Sequence, residues 1–329
     1  MGHVAILGAG AWGTALAISF ARRHPIVLWG REREQQIALR RERENRALLP
    51  GIPLPDAVQV ADELDAALDG ASLALIATPV AGLRDTLRAI AQHAPQLPVL
   101  WACKGLEAES GRLPNDIARE ELAPTADYGV LTGPSFAQEI AAGLPGAITL
   151  SGRSLDFAKH WVSELHHSRL RLYATDDLIG AEVCGAVKNV LAIATGICDG
   201  LHFGFNARAA LITRGLAEIT RFGLALGGRR ETFMGLAGVG DLILTCTGDL
   251  SRNRNVGLAL AQGRQLAEIL ESLGHVAEGV PTAREVARRA RELGIEMPIT
   301  HAVDAVLHEG LAPRAAVEQL MTRDPKIEG

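Results

Sequence analysis

A short β-rich run, His3–Leu7, leads straight into Gly8-Ala9-Gly10-Ala11-Trp12-Gly13, and an alanine-rich helical pattern follows over Ala11–Arg23. Three glycines at this spacing, between a strand and a helix, leave few alternatives. Gly8 allows a tight turn, Gly10 lets backbone N–H groups approach a bound group, and Gly13 lets the helix lie against the strand. The helix start adds orphan N–H donors and the positive end of a dipole, so the turn suits a pyrophosphate. A lone GxGxxG is weak, and its flanking strand and helix are what give it meaning. The competing reading is a glycine-rich turn without a ligand.

Further short β-rich runs occur at Pro25–Trp29, Leu73–Ala77, Leu97–Trp101, Tyr128–Thr132, Ala147–Leu150 and Arg169–Tyr173. Helical patterns lie between them at Glu32–Arg43, Ala81–His93 and Leu155–Leu165. Continuous apolar strands alternating with helices predict a parallel sheet covered on both faces, its last strands free to run mixed. From Asp176 the rhythm changes to a period of 3.6, at Asp177–Asp199, Ala207–Leu226, Arg254–Ala261, Thr282–Leu293, Thr300–Glu309 and Pro313–Leu320. The expectation is an α/β chain of two domains: a Rossmann-type, doubly wound sheet over residues 1–175, then an all-α domain over residues 176–329. A length of 329 residues suits two domains, and 48% hydrophobic residues can fill their cores.

A net charge of −5 provides no global field for nucleic acid. The four cysteines, Cys103, Cys184, Cys198 and Cys246, sit in apolar runs without CxxC or metal-ligand spacing. They read as buried reduced thiols, with no metal site. The N-terminus lacks a basic n-region, and no apolar stretch runs the length of a spanning helix without glycine or polar breaks. A soluble cytoplasmic protein without membrane insertion is expected, and the apolar faces of the helical domain point to a homodimer.

Dinucleotide domains usually end the second strand in an acid that holds the ribose hydroxyls. Here that strand ends Leu28-Trp29-Gly30-Arg31, with Arg33 following. An arginine in this place can meet a 2′-phosphate, or both arginines merely decorate a helix. Lysine occurs only at Lys104, Lys159, Lys188 and Lys326. Lys188 is the sole charge between Glu182 and Asp199, mid-helix, so it must pair, snorkel or lower its pKa, and it can act as a general acid or base. Asp241 is the sole charge between Glu231 and Asp249, either the partner of Lys188, a helix N-cap, or both. Lys104 follows the strand Leu97–Trp101, where open α/β sheets bind ligands. Gly133-Pro134-Ser135 forms a tight loop at another such strand end. Ser251 can cap a helix whose first turn carries Arg252 and Asn253, suited to an anion.

These segments together resemble one family. The chain reads GAGAWGTA (8–15), CKGLE (103–107), TGPSFAQEIAAGLP (132–145), AEVCGAVKNVLAIATGICDG (181–200), NARAALITRGLAEI (206–219), GLAGVGDLILTC (235–246), LSRNRNVG (250–257) and AEGVPTA (277–283). The set resembles the bacterial NAD(P)-dependent glycerol-3-phosphate dehydrogenases over nearly the whole length. The resemblance implies hydride transfer between sn-glycerol 3-phosphate and dihydroxyacetone phosphate, with NADP(H) and/or NAD(H), supplying glycerol 3-phosphate for phospholipid synthesis. It puts Lys188 at the proton donor/acceptor position, Asp241 at a supporting acid, and Lys104 at a lysine touching cofactor and substrate. Gly133, Ser135, Ser251, Arg252 and Asn253 fall at substrate positions. Trp12, Ala137, Arg252, Val276 and Glu278 fall at cofactor positions, with Ala11 and Arg31 beside them. The departures are Cys103 where Thr is commoner, Asn255 where a base is commoner, and the loop His202–Phe205. The alternatives are a hydroxyacid or sugar-acid dehydrogenase of the same architecture, and a non-catalytic dinucleotide sensor.

Overall fold

The computed structural model describes residues 2–273 and 277–322. The chain forms two compact units, one from Met1–Lys104 and Arg112–Glu182, the other from Gly105–Gly111 and Val183–Gly329.

The first unit is an eight-stranded sheet. Its strands are β1 (His3–Leu7), β2 (Ile26–Trp29), β3 (Val58–Val60), β4 (Ala71–Ile76), β5 (Val99–Trp101), β6 (Tyr128–Thr132), β7 (Gly146–Gly152) and β8 (Leu170–Thr175). They lie in the order β3-β2-β1-β4-β5-β6-β7-β8. The strands from β3 across to β6 are parallel, β7 pairs antiparallel to β6, and β8 runs parallel to β7. The order reverses between β1 and β4, the switch point at which such sheets open a crevice beyond their carboxyl ends.

Strand residues alternate between two cores. Val4 and Ile6 of β1 face one cluster with Leu16, Phe20 and Trp161, whereas Ala5 and Leu7 face another with Leu83, Leu87 and Ile117. Burial on both faces is why these strands read as unbroken apolar runs. The covering helices are α1 (Ala11–Phe20), α2 (Arg33–Glu42), α3 (Leu64–Leu68), α4 (Leu83–His93), α5 (Pro114–Glu121), α6 (Ala137–Ala141) and α7 (Leu155–Leu165). The sequence pattern does not reveal β3, α3, α5 or α6. Each is three to eight residues long, too short for a period to declare itself.

Among the described residues the second unit contains no strand. Its helices are α8 (Leu178–Gly200, whose first turn belongs to the sheet unit), α9 (Gly204–Ala225), α10 (Arg230–Met234), α11 (Asp241–Thr247), α12 (Arg252–Ala261), α13 (Leu266–Leu273), α14 (Gly279–Glu292), α15 (Pro298–His308) and α16 (Pro313–Met321). By length and apolarity α8 could cross a membrane, but 94% of that window is buried inside the protein. Glycines let its neighbours approach at backbone distance. A Cβ on Gly196 would stand 2.0 Å from the Arg254 carbonyl oxygen, and one on Gly257 would stand 2.1 Å from that of Ile193.

Candidate active site

The glycine turn has the form its spacing implies. Gly8 adopts φ +126°, and a Cβ there would lie 2.7 Å from the carbonyl carbon of Ala77, which follows β4. A Cβ on Gly13 would lie 1.8 Å from the Gly8 carbonyl oxygen. At Gly10, by contrast, a Cβ would meet nothing within 4 Å. That position is open, and the first turn of α1 has neither a capping side chain nor an acidic residue. The arrangement fits a pyrophosphate, whose charge would meet the helix N–H groups unopposed. The Ala9 carbonyl is pinned by Gln35 Nε2 at 2.8 Å and Asn45 Nδ2 at 3.0 Å, and Asn45 also donates to Thr14 Oγ1. Trp12 and Ala137 are half-buried beside the same core.

Further along the strand ends, Lys104 Nζ donates to the Gly133 carbonyl at 3.3 Å, and Ser135 Oγ donates to the same oxygen at 2.9 Å. Gly133 has φ +118° and sits against Ile148 and Thr149. Lys104, Gly133 and Ser135 thus converge at the carboxyl ends of β5 and β6. Beneath them Glu182, buried on α8, accepts from Trp101 Nε1 at 3.0 Å and from the Asn115 amide at 2.9 Å. Its other oxygen has no hydrogen-bond partner among the described residues. Burial pushes this carboxyl well above its ordinary range, against the pull of its two donors.

The helical unit holds the ion pair. Lys188 Nζ lies 2.5 Å from Asp241 Oδ1 and 2.8 Å from Thr245 Oγ1, with the side chains 8% and 1% exposed for the lysine and the aspartate. A π-helical turn, Leu236–Gly240, brings the chain into α11, and Gly240 takes the N-cap position. Asp241 is thus the first residue of the helix, not its N-cap, and it pairs with the lysine. Thr245, one helical turn on, shares its face and donates to the Asp241 carbonyl at 2.7 Å. Cys246 is adjacent, and burial pushes its thiol up to about 12. It is a packed, protonated thiol; Cys103, Cys184 and Cys198 are buried too, and none of the four is in a disulfide.

Ser251 caps α12, its Oγ accepting from the Arg254 amide at 3.3 Å. Asn253 is buried, its Oδ1 accepting from the Gly279 amide at 3.0 Å, which leaves Nδ2 as a donor. Arg252 is exposed. Surrounding atoms lower its pKa and Glu278, at the N-cap position of α14, opposes that shift. With its side chain still open to water, the guanidinium stays charged at neutral pH.

Two family models match, the NAD-dependent glycerol-3-phosphate dehydrogenase N-terminus over residues 3–158 and C-terminus over residues 177–318. The chain belongs to the NAD-dependent glycerol-3-phosphate dehydrogenase family. It is 59% identical over 325 residues to a glycerol-3-phosphate dehydrogenase [NAD(P)+] of Dechloromonas aromatica, covering 99% of each chain. It is 58% identical over 327 residues to that of Aromatoleum aromaticum, covering 99% of this chain and 100% of the other. The crystal structure of glycerol-3-phosphate dehydrogenase from Coxiella burnetii superposes with a TM-score of 0.94 at 42% identity, covering 98% and 99%.

For a dehydrogenase of this family, the geometry sorts the residues expected from the sequence. Lys188 and Asp241 meet, as do Lys104, Gly133 and Ser135, and Ser251, Arg252 and Asn253 share one helix start. Gly8, Gly10, Ala11, Trp12 and Gly13 form the turn and the first residues of α1. Arg31 is exposed and pairs with Glu32 at 3.3 Å. Val276 lies outside the described residues. Sequence reasoning missed Thr245, although its spacing of four from Asp241 was a usable signal. It also missed Gln35 and Asn45, which look like surface polar residues until the fold brings them to Ala9. Of the departures, Phe205 is exposed in the first turn of α9, with the Arg208 guanidinium 4.9 Å from its ring centre.

Proposed function

We propose that the protein interconverts sn-glycerol 3-phosphate and dihydroxyacetone phosphate with NADP(H) or NAD(H), providing glycerol 3-phosphate for phospholipid synthesis. The buried Lys188–Asp241–Thr245 cluster carries this reading, because an ammonium held by a carboxylate and a hydroxyl suits proton transfer. When bound, the nicotinamide supplies or accepts the hydride. Lys188 donates the proton to the oxygen of the carbonyl being reduced, and takes it back in the reverse direction. Asp241 offsets the cost of burying the ammonium, and Thr245 fixes its direction. Arg252 and the Asn253 amide grip the substrate phosphate at the start of α12, with Ser251 shaping that turn. Lys104, held by the Gly133 carbonyl beside Ser135, meets substrate and cofactor. Gly8, Gly10, Ala11, Trp12 and Gly13 hold the pyrophosphate, Arg31 meets a 2′-phosphate, and Ala137, Val276 and Glu278 complete the cofactor contacts.

In this reading residues 1–175 serve the dinucleotide and residues 176–329 the substrate. We also infer a cytoplasmic homodimer without membrane insertion. The burial of α8 supports the last point. Exposed Phe205, Met234 and Met321, and an apolar groove of about 990 Å³ walled by α8, α9, α15 and α16, support the dimer, which sedimentation would read directly.

The deciding experiment follows loss of reduced-nicotinamide absorbance with dihydroxyacetone phosphate. Unphosphorylated dihydroxyacetone and a panel of 2-oxo acids serve as comparisons. Selective turnover of the phosphorylated ketone is expected. Equal turnover of dihydroxyacetone would overturn the phosphate grip, and preference for an oxo acid would overturn the assignment.

A further inference from the structure

We propose that Arg254 is a positioning residue, which sets the first turn of α12 on α8 and so aims Arg252 and Asn253 at the substrate. The proposal rests on the reading above, in which those two residues hold the phosphate.

Arg254 is buried, two residues beyond the exposed Arg252, and its charge is fully engaged. Nε and Nη2 reach Asp199 Oδ2 at 3.0 and 2.8 Å, and Nη1 reaches Asp249 Oδ1 at 3.1 Å. Asp199 stands near the end of α8 and also accepts from Arg208 of α9 at 3.1 Å. The Arg254 and Asp199 side chains are only 11% and 13% exposed. A carboxylate held by two guanidiniums at this depth is stronger and more directional than a surface ion pair.

The helix packing explains why such a clamp is needed. Gly196 of α8 lies against the Arg254 carbonyl, and Gly257 of α12 against the Ile193 carbonyl. A crossing of glycine on backbone fixes how close two helices come. It offers no interlocking side chain to fix rotation or sliding about that point. The Arg254–Asp199 pair supplies this missing constraint one residue beyond Asn253. The Arg254 amide meanwhile donates to Ser251, so one residue ties both the cap and the register. Successive helix residues are about 100° apart, which turns Arg252 away from α8 when Arg254 is anchored to it. Lys188 is on the same α8, so the clamp also relates the phosphate grip to the proton-transfer group along one rigid element. Misplacement on the order of 1 Å can cost about 100-fold in rate.

The test compares kcat/KM for dihydroxyacetone phosphate and for unphosphorylated dihydroxyacetone in the parent, Arg254→Met, Asp199→Asn and Arg252→Ala. Arg254→Met should lose about 10- to 100-fold on the phosphorylated ketone, mostly in KM, while its activity on dihydroxyacetone holds within about twofold. Arg254→Lys, which keeps one bond to Asp199, should recover part of that loss. General damage to the fold would lower both substrates together and would overturn the proposal. If Arg254→Met fails to fold, Asp199→Asn, which keeps an acceptor oxygen, must show the same selective loss or the proposal falls. Loss of selectivity in Arg252→Ala alone would reject Arg254 and keep the phosphate grip. Unchanged selectivity in Arg252→Ala would reject the phosphate grip itself, and the positioning role with it.

Discussion

The Lys188–Asp241 pair lends itself to a double-mutant cycle that separates chemistry from stability. With 8% and 1% of their side chains exposed and 2.5 Å between Nζ and Oδ1, the two charges are almost wholly removed from water. Each pays a desolvation cost that the other helps to repay, and Lys188 also donates to Thr245. Removing one partner leaves the other charge buried without its counter-ion. Asp241→Leu and Lys188→Met should each destabilise the protein by about 3–5 kcal/mol. Against a total stability of roughly 5–15 kcal/mol that is a large share. The double variant Lys188→Met/Asp241→Leu removes both charges and fills the space with apolar atoms, so it should lie within about 1 kcal/mol of the parent. Urea unfolding at neutral pH, followed by circular dichroism, reads all four forms. Turnover should fall by ~10²–10⁴ in every variant lacking Lys188, the double included, because proton transfer is lost whatever the stability. A cost below about 1 kcal/mol for Asp241→Leu, or a double variant as unstable as the two single losses added, would refute the argument from buried charge.

The other predictions are narrower. Gly10→Ala should leave unfolding unchanged, since its Cβ meets nothing in the chain, yet raise KM for the reduced dinucleotide at least about tenfold, ~1.4 kcal/mol; an unchanged KM would mean that no ligand approaches there. The raised Glu182 carboxyl contributes stability that is fully present below its ordinary value of 4.5 and is lost as pH rises toward the folded-state value. Glu182→Gln should therefore gain on the parent in unfolding experiments as pH climbs from 4 to 8, and a constant difference would show that the group does not titrate on unfolding. Arg31→Ala should lower the NADPH-to-NADH ratio of kcat/KM by about tenfold, the worth of one charge-assisted bond in part exposed to water.

Those expectations show where the sequence was legible. The glycine turn could be read because backbone geometry leaves one residue type for each demand, at Gly8 by its φ and at Gly13 by contact. Lys188 and Asp241 stood out because charge is costly in apolar runs, and cost is visible without coordinates. Thr245, Glu182 and Arg254 were not singled out. A threonine in a helix is ordinary, Glu182 borders a polar boundary, and Arg254 sits among other arginines whose burial only the crossing of α8 and α12 decides. The short elements β3, α3 and α6 were invisible for a related reason: tertiary packing, not local period, holds three- to five-residue segments in place.

Gly30 shows how one residue can answer to two constraints. In the sequence it stands where an acid would favour NAD, and its lack of a carboxylate reads as tolerance of a 2′-phosphate. In the fold, a Cβ at Gly30 would lie 2.8 Å from the Ala9 Cβ and 3.2 Å from Gln35 Oε1, while Gln36 donates to the Gly30 carbonyl. No side chain fits, acidic or otherwise, so close approach of the second strand's end to the glycine turn accounts for this residue whichever dinucleotide is used. The missing acid is thus a consequence of packing and carries little information about cofactor choice. Selectivity has to reside where a side chain is sterically free to differ. Arg31, with 86% of its side chain exposed and paired with Glu32, is such a position. Its guanidinium can leave that weak surface pair for a phosphate at little cost, which is why the Arg31→Ala comparison, and not a substitution at Gly30, is the informative one.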